Sequence, residues 1–515
     1  MWPARWIGSD HRRGHRLRDL AAGPLPAPAR THRCAVLVIG AGIAGLAAAR
    51  ALARAGVDDL RVVELESAPG GNSRGHDLGG MACPLGAHYL PVPDEPAVEV
   101  IALLEELGLR RTEHGRAVYD ERHLCHSPQE RLFIDGRWHD GLLPPVDALP
   151  AAQRAATLDQ YRRFAAAVAR AGRFAVPTAR APWTDAHAAL DATTFAAWLD
   201  RERFDAPALR WYLDYCCRDD FGAGSRQVSA WAGLHYFASR HGFRAPGAET
   251  GEERDAVLTW PQGNAWLAGR LVAPVAERLL AGRVALRVAE ERERVEVDLW
   301  DDGAQAVERW RADQVVLAVP LFVARRLLAA PPVALRTIVP RMAHAPWLVA
   351  NLQIDTPLDD RPGAAPSWDN VVFGSAALGY VDAMHQSLRP HAGPTVLTAY
   401  WALGGDDEAQ LAAQRMRLLQ EPAAAWAAAV VADLAVAHPE LPRRVVQADL
   451  MRYGHAMSIP RPGLRGDPAL AALAQPQRRV HFAHADLSAY SVFEEALYHG
   501  SRAARDVIAA QRRAA

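Results

Sequence analysis

Residues 36–56 read VLVIGAGIAGLAAARALARAG. An apolar run is followed by three glycines spaced G-x-G-x-x-G and then by an alanine-rich stretch. Ala35–Ile39 has the wholly apolar texture of a buried parallel strand. Ile43 to Ala55 is built from good helix formers, and Gly56 stands where a C-cap glycine belongs. In such a strand–turn–helix unit Gly40 permits the tight turn and Gly42 lets backbone N–H groups reach a pyrophosphate. Gly45 lets helix and strand pack closely, and the helix N-terminus adds positive potential. Ala41 and Ala44 complete the small-residue loop. The stretch Leu60–Glu66 reads as the second strand, and Glu66 at its acidic end is the expected acceptor for ribose hydroxyls. Glu64, two residues earlier on the same side of the strand, is the rival. A carboxylate there disfavours a 2′-phosphate and so disfavours NADP. The glycines alone do not choose among the remaining dinucleotides.

At 515 residues the chain has room for two or more packed cores. It carries 58 basic and 59 acidic side chains, a net charge of −1, which gives no reason to expect a nucleic-acid or anionic-membrane partner. Every basic residue is arginine, so no Schiff-base lysine and no lysine acid or base is available. The five cysteines, Cys34, Cys83, Cys125, Cys216 and Cys217, are too irregularly spaced for a disulfide framework. His123–His126 (HLCH) lacks a second ligand cluster, so no metal is expected. No apolar run reaches membrane-spanning length, and no apolar segment follows the N-terminal arginines as a signal peptide requires. A cytoplasmic address is the expectation, with twin-arginine export to the periplasm the alternative if a leader precedes Met1.

The chain leaves and re-enters the dinucleotide pattern. The expected fold is α/β: a Rossmann-like domain with a central parallel sheet, interleaved with a helix-rich substrate domain carrying its own mixed or antiparallel sheet. Residues 1–32 read as an extension and proline-rich tether. Residues 33–96, 255–340 and 446–515 are assigned to the dinucleotide domain, and 97–254 and 341–445 to the substrate domain.

Four further stretches carry a resemblance. APGGNSRG (68–75) follows the acidic strand end and is similar to the second FAD signature of the flavin amine oxidase and phytoene desaturase-like superfamily, usually E-x(4–5)-GGR. Counted from Glu66 this chain has E-x3-GG, with Asn72 in the arginine position and Arg74 two places later. PLGAHYLP (84–91) resembles the segment that runs along the isoalloxazine ring in that superfamily. The resemblance implies that Gly86 and Ala87 lie against the flavin and that His88 faces it or the substrate. ADQVVLAVP (312–320) resembles the family's returning strand, and Val288 matches the valine whose backbone contacts adenine. FAHADLSAYSVFEEALYHGSRAA (482–504) resembles the closing motif, which implies that Asp486 binds the ribityl or pyrophosphate region and that Tyr490 flanks the flavin turn. His484-Ala485 and Glu495 depart from the family pattern.

The resemblance implies FAD. No cysteine lies beyond Cys217 to attach the flavin at the closing motif, so the FAD is expected to be non-covalent. The implied activity is oxidation of an amine or polyamine, a small-molecule substrate, by hydride transfer to flavin N5, with oxygen or another electron acceptor closing the cycle. The lysine–water pair of many amine oxidases cannot exist here. That motivates an alternative, a desaturase, isomerase or oxidase of an apolar polyene or tetrapyrrole. A second alternative is a non-catalytic FAD-binding component of a complex. His88 and Tyr490 are the catalytic candidates. His235, Tyr236, Tyr380, His385 and His455 are the substrate-pocket candidates.

Overall fold

The computed structural model describes residues 2–20, 23–247 and 256–514. It divides into two compact units. One comprises Ser9–Arg74, Ala265–Met342 and Gly466–Ala515, and the other Met1–Gly8, Gly75–Asn264 and Ala343–Arg465. Residues 75–96 and 446–465, expected with the dinucleotide domain, thus lie in the larger unit. The expected boundary at 254–255 falls outside the described residues.

The smaller unit is built on parallel strands. Arg30–Ile39 lies between Leu60–Val63 and Ala306–Leu317, parallel to both, and Val480–Phe482 adds to Ala306–Leu317 in the same sense. Val36, Leu37, Val38 and Ile39 are all buried, as a strand covered on both faces requires. Two antiparallel strands, Val295–Asp301 and Arg283–Glu290, extend the sheet beyond Ala306–Leu317. The helix Ile43–Arg54 packs on the long closing helix Phe493–Ala514 through small residues. A Cβ on Gly500 would sit 2.0 Å from the Ala44 carbonyl oxygen, so the two backbones meet there as only glycine allows.

The larger unit carries an eight-stranded mixed sheet. Its order is Ala4–Trp6, Val445–Ser458, His344–Ile354, Thr395–Ala402, Tyr380–Asp382, Asp369–Val372, Glu130–Ile134, Arg137–Asp140. All neighbours are antiparallel except the pairs Ala4–Trp6 with Val445–Ser458 and Asp369–Val372 with Glu130–Ile134. One face is sealed by the helix Ala423–Leu434, with Trp426 at the centre of the core. The N-terminal residues expected as a tether begin as a strand. Trp2, Ala4 and Trp6 alternate with the exposed Pro3 and Arg5, and all three pack against that core, the period-2 pattern of a half-buried strand. Helices Ala151–Arg170, Pro207–Phe221 and Ala230–Tyr236 form the helix-rich part, and the last runs directly into a π-helical turn, Phe237–His241. Among the described residues no helix is long and apolar enough to cross a membrane.

Candidate active site

The smaller unit brings the two glycine motifs together. Gly70 N–H donates to the Ala41 carbonyl at 2.8 Å, and Gly42 and Gly70 form a parallel bridge. Gly71 has φ +58°, and a Cβ there would stand 3.1 Å from Gly42 Cα. Packing also dictates glycine at the other two turn positions: a Cβ on Gly40 would lie 2.4 Å from the Ala318 carbonyl oxygen, and one on Gly45 1.8 Å from that of Gly40. Gly42 differs. Its only neighbour within 4 Å of a built Cβ is Gly71 Cα, at 3.9 Å, so protein packing does not explain the absent side chain. It is the N-cap of Ile43–Arg54 and supplies no side-chain cap to the first-turn N–H groups. Open space beside uncapped helix donors suits a pyrophosphate, and the residues therefore fit a dinucleotide.

The carboxylate aimed at this turn is Glu64. Its Oε2 accepts from Ala41 N–H at 2.8 Å and its Oε1 from Glu66 N–H at 2.9 Å. Burial pushes the Glu64 carboxyl up, opposed by those two N–H donors and by the Arg74 guanidinium. Glu66 turns elsewhere: its oxygens accept from Asp10 N–H at 3.1 and 3.2 Å, with Arg13 Nη1 3.8 Å away. Counted from Glu64 the second signature is E-x5-GG, inside the usual interval. Asn72 is exposed, whereas Arg74 is buried, with Nε donating to the Gly71 carbonyl at 3.1 Å. Val288 is buried in Arg283–Glu290, and its carbonyl already accepts from Ala329 N–H at 2.9 Å.

Asp486 is fully buried, and its Oδ2 accepts from Leu321 N–H at 2.9 Å, where the returning strand has passed into the helix Leu321–Leu327. The departures from the family pattern have local structural roles. His484 Nδ1 accepts from Asp486 N–H at 3.1 Å and caps the 3₁₀ turn Ala485–Ser488. Glu495 accepts a short hydrogen bond from Ser488, whose hydroxyl also meets His499 Nε2 at 2.8 Å, so a buried Ser–Glu–His cluster fixes that turn. Ala489 has φ +65°, and Tyr490 follows it into the interior.

In the larger unit the segment Pro84–Tyr89 is held by every one of its carbonyls. Asn351 Nδ2 donates to Pro84, Tyr453 Oη to Leu85 and Tyr400 Oη to Gly86, at 3.0, 2.7 and 3.0 Å. Asn264 N–H donates to Ala87, Thr259 Oγ1 to His88 and Asn264 Nδ2 to Tyr89, at 3.0, 2.7 and 2.8 Å. Behind it a Cβ on Gly263 would meet the Ala87 oxygen at 2.8 Å, so the segment is clamped as a fixed ledge. The His88 ring stacks on Tyr400 at 4.4 Å and neighbours Trp368 and Tyr89 at 5.4 and 5.0 Å. Burial lowers its imidazole to about 3 against the hydrogen bond with Gly86, so it is neutral throughout the physiological range.

Of the five pocket candidates, only Tyr236 joins this aromatic group, through its stack on His241 at 4.2 Å and that ring's neighbour Tyr89 at 6.4 Å. His235 is buried, with Nε2 against the Ala175 carbonyl at 3.1 Å and burial holding it near 3. Tyr380 and His385 line a different cavity of about 430 Å3 that also exposes Arg131, Asn370 and Asp382. There Tyr380 Oη meets His438 Nε2 at 2.8 Å, and His385 Nε2 meets the His126 carbonyl at 2.8 Å. His455 is exposed on Val445–Ser458, with its ring 6.3 Å from that of His344.

The residues not anticipated are acidic. Asp369 and Glu130 are register partners on parallel strands and leave the same face of the sheet. Asp219 projects from Pro207–Phe221 on the face that carries Tyr212 and Cys216, seven and three positions earlier in the helical repeat. Burial lifts Asp219 to about 7, reinforced by the Asp220 charge and opposed by Arg240, Arg218 and a hydrogen bond with Tyr89. Burial also lifts Asp369 well above the carboxylate range, reinforced by the charges of Asp219 and Glu130. The signal available in sequence was thin: an aspartate inside an otherwise buried strand, SWDNVV. Among the described residues no three His, Cys, Asp or Glu side chains are grouped to hold a metal ion.

Solved structures of similar fold cover nearly the whole chain. A double mutant of putrescine oxidase superposes with TM-score 0.66 at 19% identity, over 93% of this chain and 100% of that one. Cyclohexylamine oxidase from Brevibacterium oxydans IH-35A gives 0.65 at 19%, over 94% and 100%. A protein provisionally assigned as a protoporphyrinogen oxidase, from Exiguobacterium sp. 255-15, gives 0.61 at 18%, over 94% and 99%. No curated protein matches the sequence. The family model for flavin-containing amine oxidoreductases matches residues 43–508, from the helix behind the glycine turn to the closing helix, and the chain belongs to that family of FAD-dependent oxidoreductases.

Proposed function

We propose that the protein oxidises an amine. Bound FAD supplies the hydride acceptor, with oxygen or another acceptor regenerating it. The observation that carries the reading is the group formed by His88, Tyr89, Trp368 and Tyr400 beside the clamped ledge Gly86–Ala87. Ring faces attract a cation as it arrives. The same rings shed water and favour the neutral amine, whose nitrogen lone pair is needed for oxidation. His88 is a neutral wall residue that can accept or donate one hydrogen bond, not a cationic one that would repel an ammonium.

Toward the cofactor, Glu64 would take the ribose hydroxyls, the Gly42 turn and the N-terminus of Ile43–Arg54 would take the pyrophosphate, and Arg74 and Asp486 would complete the polar cradle. The runner-up, an apolar polyene or tetrapyrrole substrate, is favoured by the missing lysine but leaves the lifted carboxylates Asp219 and Asp369 without a use. The test is oxygen uptake and peroxide formation by the flavin-loaded protein across a panel of amines. Turnover of any amine supports the proposal. Silence across amines with conversion of an apolar substrate overturns it.

A further inference from the structure

Register places a row of polar side chains across one face of the eight-stranded sheet. Arg131 pairs with Asn370, Asn370 with Tyr380 and Tyr380 with Ala399, so the four residues leave the sheet on the same side. Asp382, two positions beyond Tyr380 on its strand, shares that side. Tyr400 follows Ala399 and points the other way, toward His88. Tyr380, Leu397 and Ala399 belong to the core under the helix Ala423–Leu434. The cavity of about 430 Å3 that Arg131, Asn370, Tyr380 and Asp382 line therefore lies on the face opposite the aromatic group of His88. Its volume is that of a small-molecule site.

Its walls hold a cation and an anion that do not meet. Arg131 is 4% exposed, and its guanidinium has no ion-pair partner among the described residues. Nε donates to Asn370 Oδ1 at 2.5 Å and Nη1 to the Ala364 carbonyl at 3.3 Å, Tyr380 takes a further hydrogen bond, and the Trp138 ring covers the guanidinium at 4.0 Å. At least two of the five guanidinium N–H groups are left for another acceptor. Asn370 is fixed in turn, because its Nδ2 donates to the carbonyls of Ser367 and Trp368 at 2.9 and 3.2 Å. An arginine stays charged when buried, and a buried charge without a counter-charge is strongly unfavourable. Asp382 is the complement. Its Oδ1 accepts from Met384 N–H at 3.0 Å and from the Thr395 hydroxyl, whereas Oδ2 has no partner among the described residues. The charges at the mouth, Asp360 and Arg389, are exposed and of opposite sign, so they favour neither end.

We propose that this cavity binds a small amino acid, with the carboxylate on the free N–H groups of Arg131 and the ammonium on Asp382 Oδ2. A simple anion would leave Asp382 without a counter-charge, and a simple cation would leave Arg131 without one. A zwitterion supplies both and adds no net charge to the interior. Leu358, Met384 and Leu397, also in the wall, offer its carbon chain apolar contact. The site stands apart from the amine-oxidation reading, since binding here involves no flavin chemistry.

The experiment begins with a thermal-shift panel on the flavin-loaded protein, using the standard L-amino acids and the ω-amino acids from β-alanine to 6-aminohexanoate. Calorimetry then compares the best binder with the amine and the carboxylic acid that each lack one of its charges, on the parent protein and on Asp382→Asn and Arg131→Gln. The expected Kd of the zwitterion is about tenfold or more below that of either counterpart, and it rises by about tenfold or more in each variant. Should Arg131→Gln fail to load flavin, Asp382→Asn and the two counterparts carry the test. No shift with any amino acid, which would mean a cavity filled by solvent alone, overturns the site. A carboxylic acid or an amine that binds as tightly as the zwitterion overturns it too, as does a Kd unmoved in the variants, which would put the binding elsewhere. Amine oxidation is read by turnover and this site by binding, so either can fail with the other standing.

Discussion

Glu64 and Ala41 are joined by a 2.8 Å hydrogen bond from the glycine-turn N–H to the carboxylate. The contact holds the acid at the turn's edge while leaving it two oxygens with lone pairs for a ribose. Glu64→Gln keeps a carbonyl oxygen for Ala41 but removes the charge. A charge-assisted hydrogen bond contributes about 1.5–3 kcal/mol, so FAD binding should weaken, with Kd raised by roughly 10- to 100-fold. Glu66→Gln, which acts on Asp10 and Arg13, should change it by less than about threefold, within the range of a single surface contact. Fluorescence titration of the deflavinated variants with FAD measures both.

The glycines separate by what surrounds them. A methyl at Gly45 would lie 1.8 Å from the Gly40 oxygen and one at Gly500 2.0 Å from the Ala44 oxygen. Backbone cannot step aside as a side chain can, so Gly45→Ala and Gly500→Ala should each cost about 3 kcal/mol or more and lower flavin content. Gly56 has φ +84° with open space around it, and Gly56→Ala should cost only about 1 kcal/mol of conformational strain. Thermal melts with flavin quantitation distinguish the two classes.

These contrasts also show why part of the site could be read from sequence and part could not. The glycine turn is legible because its backbone approaches forbid a Cβ, and that constraint writes itself directly into residue type. The choice between Glu64 and Glu66 was obscured by the strand's end. Leu60–Glu66 reads as one extended run, but the strand stops at Val63. Beyond that point alternation no longer says where a side chain goes. The aromatic and acidic residues of the larger unit are less legible still. His88 and Tyr89 share one segment, but Glu130, Asp219, His241, Trp368 and Tyr400 each come from another with no fixed spacing, and only the tertiary fold assembles them. His235 and His455 looked equally promising because a histidine's chemistry is the same whether a backbone carbonyl or a substrate meets it.

Tyr400 combines two jobs: its ring stacks on His88 and its hydroxyl donates to the Gly86 carbonyl at 3.0 Å. Tyr400→Phe retains the stack and removes the hydroxyl donor from that carbonyl, leaving it the hydrogen bond with His88. The expected loss is about 1–3 kcal/mol of stability, with a drop in kcat as the ledge loosens. Because His88 is already neutral above about pH 4, the pH profile of kcat/KM should show no His88 limb between pH 5 and 9, in the parent or the variant. A limb near 6.5 abolished by His88→Asn would contradict the assignment.

Asp219 gives stability a pH dependence whose sign is opposite to that of a salt-bridged acid. Its folded value near 7 lies above the ordinary carboxylate range, so the folded state holds this proton more tightly than the unfolded chain. The stability it contributes is present below about pH 4 and is lost as pH rises through 7. Burial and the Asp220 charge push in that direction, while Arg240, Arg218 and the hydrogen bond with Tyr89 oppose it. Asp219→Asn, which never ionises, should therefore gain on the parent as pH rises: similar at pH 5 and more stable by about 1–3 kcal/mol at pH 8, allowing for solvent screening. Denaturant melts at the two pH values measure it. A variant destabilised equally at both would mean that Asp219 is a structural hydrogen-bond partner and not a carboxylate kept charged against the fold's own stability. A gain confined to high pH is the signature of a group retained for what it binds.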